Sequence, residues 1–207
     1  MAKSLALLAL PEKLRRHFFA LEDRLFDLRH NIRTGGMVAA TDLSAAEFPQ
    51  ALSHATAFQS VWCRNLRVLL REAGRFGRRT TFIDLGSGKG KACFYAAPRF
   101  EQVIGIEFSQ ELVAAAEENL RRSGRRNIRY ICADASQYEL PQAPSLVFLF
   151  NPFDAELLEQ FVVRNRGCIK SQGSLIAYAN DMQRTVLEEL GFECLFRDAY
   201  RSISLWR

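Results

Sequence analysis

From residue 80 onward the chain alternates short apolar runs with helix-patterned segments, and this rhythm constrains the fold more than any other feature. The runs are TTFIDL (80–85), QVIGIE (102–107), NIRYIC (127–132), SLVFLF (145–150) and SLIAYA (174–179), all rich in the β-branched and aromatic residues that favour strands. Between and after them the spacing predicts helices over about 90–97, 109–122, 154–168 and 182–190, with Leu112, Val113, Ala116 and Leu120 on the inward face of the second. GFECLF (191–196) and SISLWR (202–207) then read as an antiparallel hairpin. Near-continuous apolar strands alternating with helices need a parallel sheet covered on both faces. With the hairpin this gives an α/β fold: a doubly wound, mostly parallel seven-stranded sheet closed by a C-terminal antiparallel pair.

The first 79 residues follow a different pattern. Leu14, Phe18, Leu21, Leu25 and Leu28 recur at spacings of three and four, predicting a helix over 11–30 with those residues inward and Pro11 in its first turn. NIRTGG (31–36) breaks the pattern as a flexible turn. A second helix is expected over about 52–73 with Phe58, Trp62, Leu66 and Leu69 on one face, closed by GRFGRR. The expected organisation is an N-terminal helical extension, residues 1–50, acting as a cap segment, and a main domain over 51–207.

Composition narrows the class. Hydrophobic and charged contents of 48% and 25% fit a globular protein, and no uncharged stretch approaches the roughly 18 residues of a membrane span. MAKSLALLALPEK is short for a signal peptide, so a cytoplasmic protein without membrane partners is expected. The five cysteines are dispersed, and the three histidines all precede residue 60, so neither a disulfide framework nor a metal site is expected. Of the 28 Lys and Arg, 13 lie in residues 1–79 against 7 of the 23 Asp and Glu. This basicity reads as a solvated helix face or as a surface for an acidic partner.

FIDLGSGKG (82–90) ends the first strand with three alternating glycines, a pattern suited to bringing bare backbone close to a ligand. A phosphate loop fails here, because Leu85 and Ala92 stand where a glycine and a hydroxyl are required. A dinucleotide loop fits poorly, because Lys91 stands where a small residue must press helix on strand.

Asp84-Leu85-Gly86-Ser87-Gly88-Lys89-Gly90 does resemble the first motif of class I methyltransferases, which use S-adenosyl-L-methionine. The resemblance covers about residues 80–207 and implies the Rossmann-like form of the fold, S-adenosylmethionine as cofactor, S-adenosylhomocysteine as product and no metal. It implies that Asp84, Leu85, Gly86, Ser87, Gly88 and Gly90 form the cofactor turn. Glu107 would accept from both ribose hydroxyls, a role for which a carboxylate has acceptors and no donor, and Phe108 beside it would also touch the cofactor. Asp134, with Ala135, would meet the adenine amino group. Asn151, Pro152 and Phe153 would face the transferred methyl, Asn151 also touching the cofactor. In this class residues just before the first strand touch the methionine end, which nominates Phe58 and Ser60, with Gln59 between; an ordinary helix face is the other reading. For Asn151 the other reading is a cap on the helix beginning near Asp154.

The acceptor is less determined. Asn151-Pro152-Phe153-Asp154 is one proline short of the segment found in amino-group methyltransferases of adenine and glutamine. FIDLGSGKGKA, VIGIEFS and LVFLFNPFDAELLEQF resemble Dot1-like histone lysine methyltransferases and small bacterial methyltransferases of unassigned substrate; FDLRHNIRTGGMV also resembles the bacterial group. An amine acceptor, on protein lysine or a small molecule, is the expectation. The alternative is a nucleic-acid methyltransferase or RNA-binding module, for which Arg121, Arg122, Arg125, Arg126 and Arg129 around Gly124 offer phosphate contacts. An NAD-dependent oxidoreductase is disfavoured by Lys91 and the terminal hairpin. Either a monomer or a homodimer fits.

Overall fold

The structure, a computed structural model, describes residues 11–38, 58–152 and 154–207. Helix α1 (Glu12–His30) leads to a two-residue strand β1 (Met37–Val38) that pairs antiparallel with β2 (Phe58–Gln59). Then follow α2 (Cys63–Gly74), β3 (Thr81–Leu85), α3 (Lys91–Ala96), β4 (Gln102–Glu107), α4 (Gln110–Ser123) and β5 (Ile128–Cys132). A 3-10 turn (Ala135–Gln137) precedes β6 (Ser145–Phe150), α5 (Ala155–Ser171), β7 (Leu175–Ala179), α6 (Arg184–Glu189), β8 (Cys194–Asp198) and β9 (Ile203–Trp206).

The main sheet has seven strands in the order β5-β4-β3-β6-β7-β9-β8, parallel except for β9 and β8. This is the Rossmann-like, doubly wound sheet with a C-terminal hairpin that the strand rhythm implied. The chain order reverses between β3 and β6, so the crevice for a ligand opens beyond their carboxyl ends. Side chains alternate across the sheet. Phe82, Phe148, Ala177 and Leu205 pack one face under α2 and α3, whereas Ile83, Leu85, Val147, Leu149, Ile176 and Trp206 pack the other under α5 and α6.

Three expectations need correction. Leu66 and Leu69 are fully buried on α2 as the pattern implied, but that helix starts at Cys63. Gln59 and Phe58 belong to a strand, and the stretch 52–57 lies outside the described residues. Secondly, the inward face of α1 is not the leucine face. Leu14, Phe18, Leu21, Leu25 and Leu28 point to solvent, while Phe19, Asp23 and Phe26 meet the body of the protein through Trp62, Lys91 and Tyr95. Periodicity located the helix but chose the wrong face, because two apolar stripes run along it. Thirdly, residues 31–36 are not an open turn. Asn119 clasps Arg33 through both its backbone groups, at 2.8 and 3.1 Å, and Thr34 is wholly buried with Asp27 accepting from its N–H and hydroxyl. Of the cysteines, all five are free, Cys63 and Cys93 are buried and Cys194 is exposed.

Asp23 is the main electrostatic anchor of α1. One carboxylate oxygen accepts from Lys91 Nζ at 2.7 Å, and the other takes the Cys63 backbone N–H at 3.0 Å. The second bond matters because α2 begins at Trp62 with no side-chain cap of its own, and the first N–H groups of a helix otherwise lack partners. Both members of the ion pair are buried, with side chains 5% and 11% exposed. Removing one partner of such a pair leaves an uncompensated charge and costs about 3–5 kcal/mol. Lys91→Met is therefore expected to lower unfolding free energy in urea by that order, and adding Asp23→Asn to recover part of the loss. Equal stability of the wild type and Lys91→Met would show that the pair does not hold α1.

Candidate functional site

Beyond β3 the chain turns through Gly86, Gly88 and Gly90, whose φ values are +74°, +51° and +86°. These angles strain any residue with a Cβ. Space excludes one as well: a Cβ on Gly86 would lie 2.7 Å from that of Pro152, and one on Gly90 would lie 2.0 Å from the Tyr130 hydroxyl. The turn is held by its neighbour strand. Gly86 and Ser87 N–H both donate to Ile106 O at 2.9 Å, and Gly88 N–H donates to Glu107 Oε2 at 2.9 Å. Glu107 Oε1 accepts from Ser109 N–H at 3.0 Å. Burial pushes the Glu107 carboxyl up, and the backbone donors around it push back.

Under the turn, Phe148, Asp84, Gly105 and Tyr130 stand in register across four strands. Gly105 leaves room for the Tyr130 ring to lie across it, since a Cβ there would meet the ring at 2.6 Å and Ser87 Oγ at 2.7 Å. The hydroxyls of Ser60, Ser87 and Tyr130 are buried without hydrogen-bond partners among the described residues. Asp84 is 3% exposed and accepts from the Cys93 thiol at 3.4 Å. The nearby cation Lys91 is engaged by Asp23. Burial pushes Asp84 up to about 7, Cys93 offsets this in part, and the Glu107 charge adds to it.

Ser60, Asp84, Gly86, Ser87, Phe148 and Phe150 line one cleft, together with Thr34 from the segment after α1. The candidate residues fall around it unevenly. Ser60 reaches it from just after β2, which replaces the helix-face alternative for 58–60. Leu85 is a core side chain and offers only backbone to the turn. Phe108 is half-buried beside Glu107, and Ala135 is buried. Asp134 Oδ1 accepts from Ser136 N–H and hydroxyl at 2.8 and 2.7 Å, so it caps the 3-10 turn. Phe153 lies outside the described residues, as does the side chain of Phe58.

Asn151 is placed by a residue that the sequence reading missed. Its backbone is left-handed, φ 45°, and its Oδ1 accepts from the Tyr178 hydroxyl at 3.0 Å. Tyr178 stands near the carboxyl end of β7, is 1% exposed, and accepts in turn from Gln183 N–H at 3.3 Å. Its phenol is pushed up to about 12 by burial. The capping role belongs to Asp154, whose Oδ1 takes Leu157 N–H at 3.1 Å, and not to Asn151. A tyrosine closing an otherwise apolar strand beside the crevice was the available signal. Asn119 and Lys89 join 33–36 to the turn, and Asn119 left no motif-level trace.

Residues 82–173 match the family model described as a methyltransferase domain. An RNA methyltransferase of Clostridium tetani, itself uncharacterized, is 30% identical over 115 residues, which are 53% of this chain and 24% of that protein. The probable S-adenosylmethionine-dependent methyltransferase CRG1 of Saccharomyces cerevisiae is 38% identical over 85 residues, 37% of this chain and 29% of that protein. The chain spans about a quarter of the length of these curated relatives. Among solved structures, the ribosomal protein L11 methylase of Lactobacillus delbrueckii subsp. bulgaricus superposes with a TM-score of 0.52 at 18% identity, covering 69% of this chain and 75% of that one. The architecture is the class I methyltransferase fold.

The Asp84 environment has a measurable consequence. Its unfolded-state value lies near 3.8 and its folded value near 7. Between these limits the native state binds the extra proton, so stability is greatest below the lower value and falls as pH rises through the window. Asp84→Asn is expected to remove a slope of up to about 1.4 kcal/mol per pH unit between pH 4 and 7 in urea unfolding. Parallel pH profiles for wild type and variant would mean that Asp84 titrates normally.

Proposed function

We propose that the chain is an S-adenosylmethionine-dependent methyltransferase acting on an amine, on a protein lysine or a small molecule. The observation that carries the reading is the cleft: a turn with no room for a side chain at Gly86 or Gly90, a buried acid beneath it and Glu107 at the neighbouring strand end. These groups suit the cofactor's chemistry. Asp84 has no cation among its described hydrogen-bond partners, and the cofactor is a cation at sulfur and at its amino group. Each Glu107 oxygen has accepted one backbone N–H and retains a lone pair for a ribose hydroxyl. Gly86, Ser87, Gly88 and Gly90 would offer backbone to the methionine and ribose parts, with Ser60 reaching the cleft from just after β2; the resemblance would add Phe58 as a contact. Phe108, Asp134 and Ala135 would flank the adenine.

The bound cofactor supplies an electrophilic methyl group, which leaves the protein mainly the task of positioning the nucleophile. Asn151 Oδ1, held by the Tyr178 hydroxyl at 3.0 Å, would orient the N–H of an incoming amine. Pro152 packs against Gly86 and fixes the backbone after Asn151; the sequence motif would add Phe153 as an acceptor contact. Next to the cleft, and sharing Ser60 and Lys91 with it, opens a cavity of ≈ 450 Å³ between α1, Gly35–Gly36 and Trp62. That cavity would admit the acceptor, which makes α1 and Gly35–Gly36 one wall of the acceptor side. A second reading, transfer to RNA, is favoured by the name of the C. tetani relative and by the basicity of residues 1–79.

Pure protein with methyl-labelled S-adenosylmethionine and fractionated cell extract separates the readings. The amine reading expects label in protein or small-molecule fractions; ribonuclease-sensitive label supports the second, and no label anywhere contradicts both. With an acceptor in hand, Asn151→Ala and Tyr178→Phe are expected to lower turnover at least tenfold while leaving cofactor affinity nearly unchanged. Because they act as a unit, the double variant should be little worse than either single one. Full turnover in both single variants would remove Asn151 from the reaction.

A further inference from the structure

Helix α1 is apolar on two faces and buries only one. Phe19 meets the Trp62 ring at 5.9 Å and Phe26 meets that of Tyr95 at 5.4 Å, with Asp23 on Lys91 between them. Roughly 140° around the helix, at about 100° per residue, stand Leu14, Phe18, Leu21, Leu25 and Leu28, 46–69% exposed. They are five of the nine large apolar side chains exposed among the described residues, gathered on one helix. Their spacing is four, three, four, three. That is the seam of a coiled coil, narrower than the stripe of a helix laid on a globular core.

We propose that this seam is the interface of a homodimer, with α1 lying antiparallel on α1 of a second copy. A two-fold axis makes one patch its own complement, and an a/d seam fits a copy of itself by knobs into holes. Charge at the rim selects the direction. Layers pairing Leu14 with Leu25 and Phe18 with Leu21 of the other copy bring Arg15 opposite Glu22, twice by symmetry. A parallel pairing would instead set Arg24 against Arg29, like against like. Within one copy Glu22 already pairs with Arg64 and Arg67 and Arg15 lies over the Tyr200 ring at 5.0 Å, so the intersubunit pair would extend these contacts. The apolar layers carry the affinity, and the Arg15–Glu22 pair sets the register.

Sedimentation of the full chain across micromolar concentrations tests this. The expected result is a species of twice the 23.6 kDa chain mass. Leu21→Lys with Leu25→Lys should raise the dimer dissociation constant at least a hundredfold, with the circular dichroism spectrum unchanged because both side chains are exposed in the monomer. Arg15→Glu, which faces Glu22 with another acid, should weaken the dimer about tenfold. A wild type that stays monomeric to 100 µM overturns the proposal, as does a dimer indifferent to the leucine changes. A monomer that floats with phosphatidylserine vesicles overturns it too, by making the seam a lipid face. A dimer indifferent to Arg15→Glu overturns the antiparallel register.

Discussion

The turn from Gly86 to Gly90 can exist only with glycine at its alternate positions, and much of the structure is arranged around that fact. Three positive φ angles set its path, but conformational freedom alone would make a loose loop. Packing makes it rigid. Pro152 presses on Gly86 from the end of β6, the Tyr130 hydroxyl occupies the place of a Gly90 side chain, and Gly105 is bare so that Tyr130 can reach there. Glu107 then ties the turn to β4 through Gly88. Four parallel strands thus contribute to one backbone shape, which is why the site lies where the strand order reverses.

The N-terminal segment completes the arrangement. Lys91 opens α3 and binds Asp23, Lys89 reaches Gly35 O at 3.1 Å, and Asn119 bridges Arg33 and Lys89 O. The residues before β1 are therefore bonded to the residues on both sides of Gly90. Segment 33–36 shares one bonded network with the turn, so displacement of α1 would be felt at the cleft. The same helix turns its leucine seam outward, which gives it one face for the body and one for a partner.

Much of this was legible in the sequence. Strand identity survived translation into structure because buried parallel strands must be apolar throughout, and SLVFLF or SLIAYA has no other reading at that length. The glycine turn was legible because its path depends on residue type and order, and Glu107 at the next strand end does bond it through Gly88. What escaped depends on side chains meeting across long separations. Nothing near Tyr178 in sequence shows that its hydroxyl lies on Asn151, and nothing near Asp23 shows Lys91. The reading of α1 failed for a related reason: a strict four-three repeat outweighs a shorter face of Phe19, Asp23 and Phe26, whose central member is charged. The start of α2 failed because Phe58 and Trp62 fit a helical period, whereas the backbone at Phe58 pairs with Val38.

Glu107 and the glycine turn must hold the cofactor if the cleft works as its geometry implies. Calorimetric titration with S-adenosylhomocysteine, on wild type and on Glu107→Ala, measures this directly. Each lost charge-assisted hydrogen bond is worth about 1.5–3 kcal/mol, so the account predicts saturable binding by the wild type and at least a tenfold weaker affinity for the variant. Glu107→Gln should also bind poorly, since its amide would turn a donor toward the N–H of Gly88 or Ser109. Binding by all three proteins with one affinity, or by none, would contradict the account.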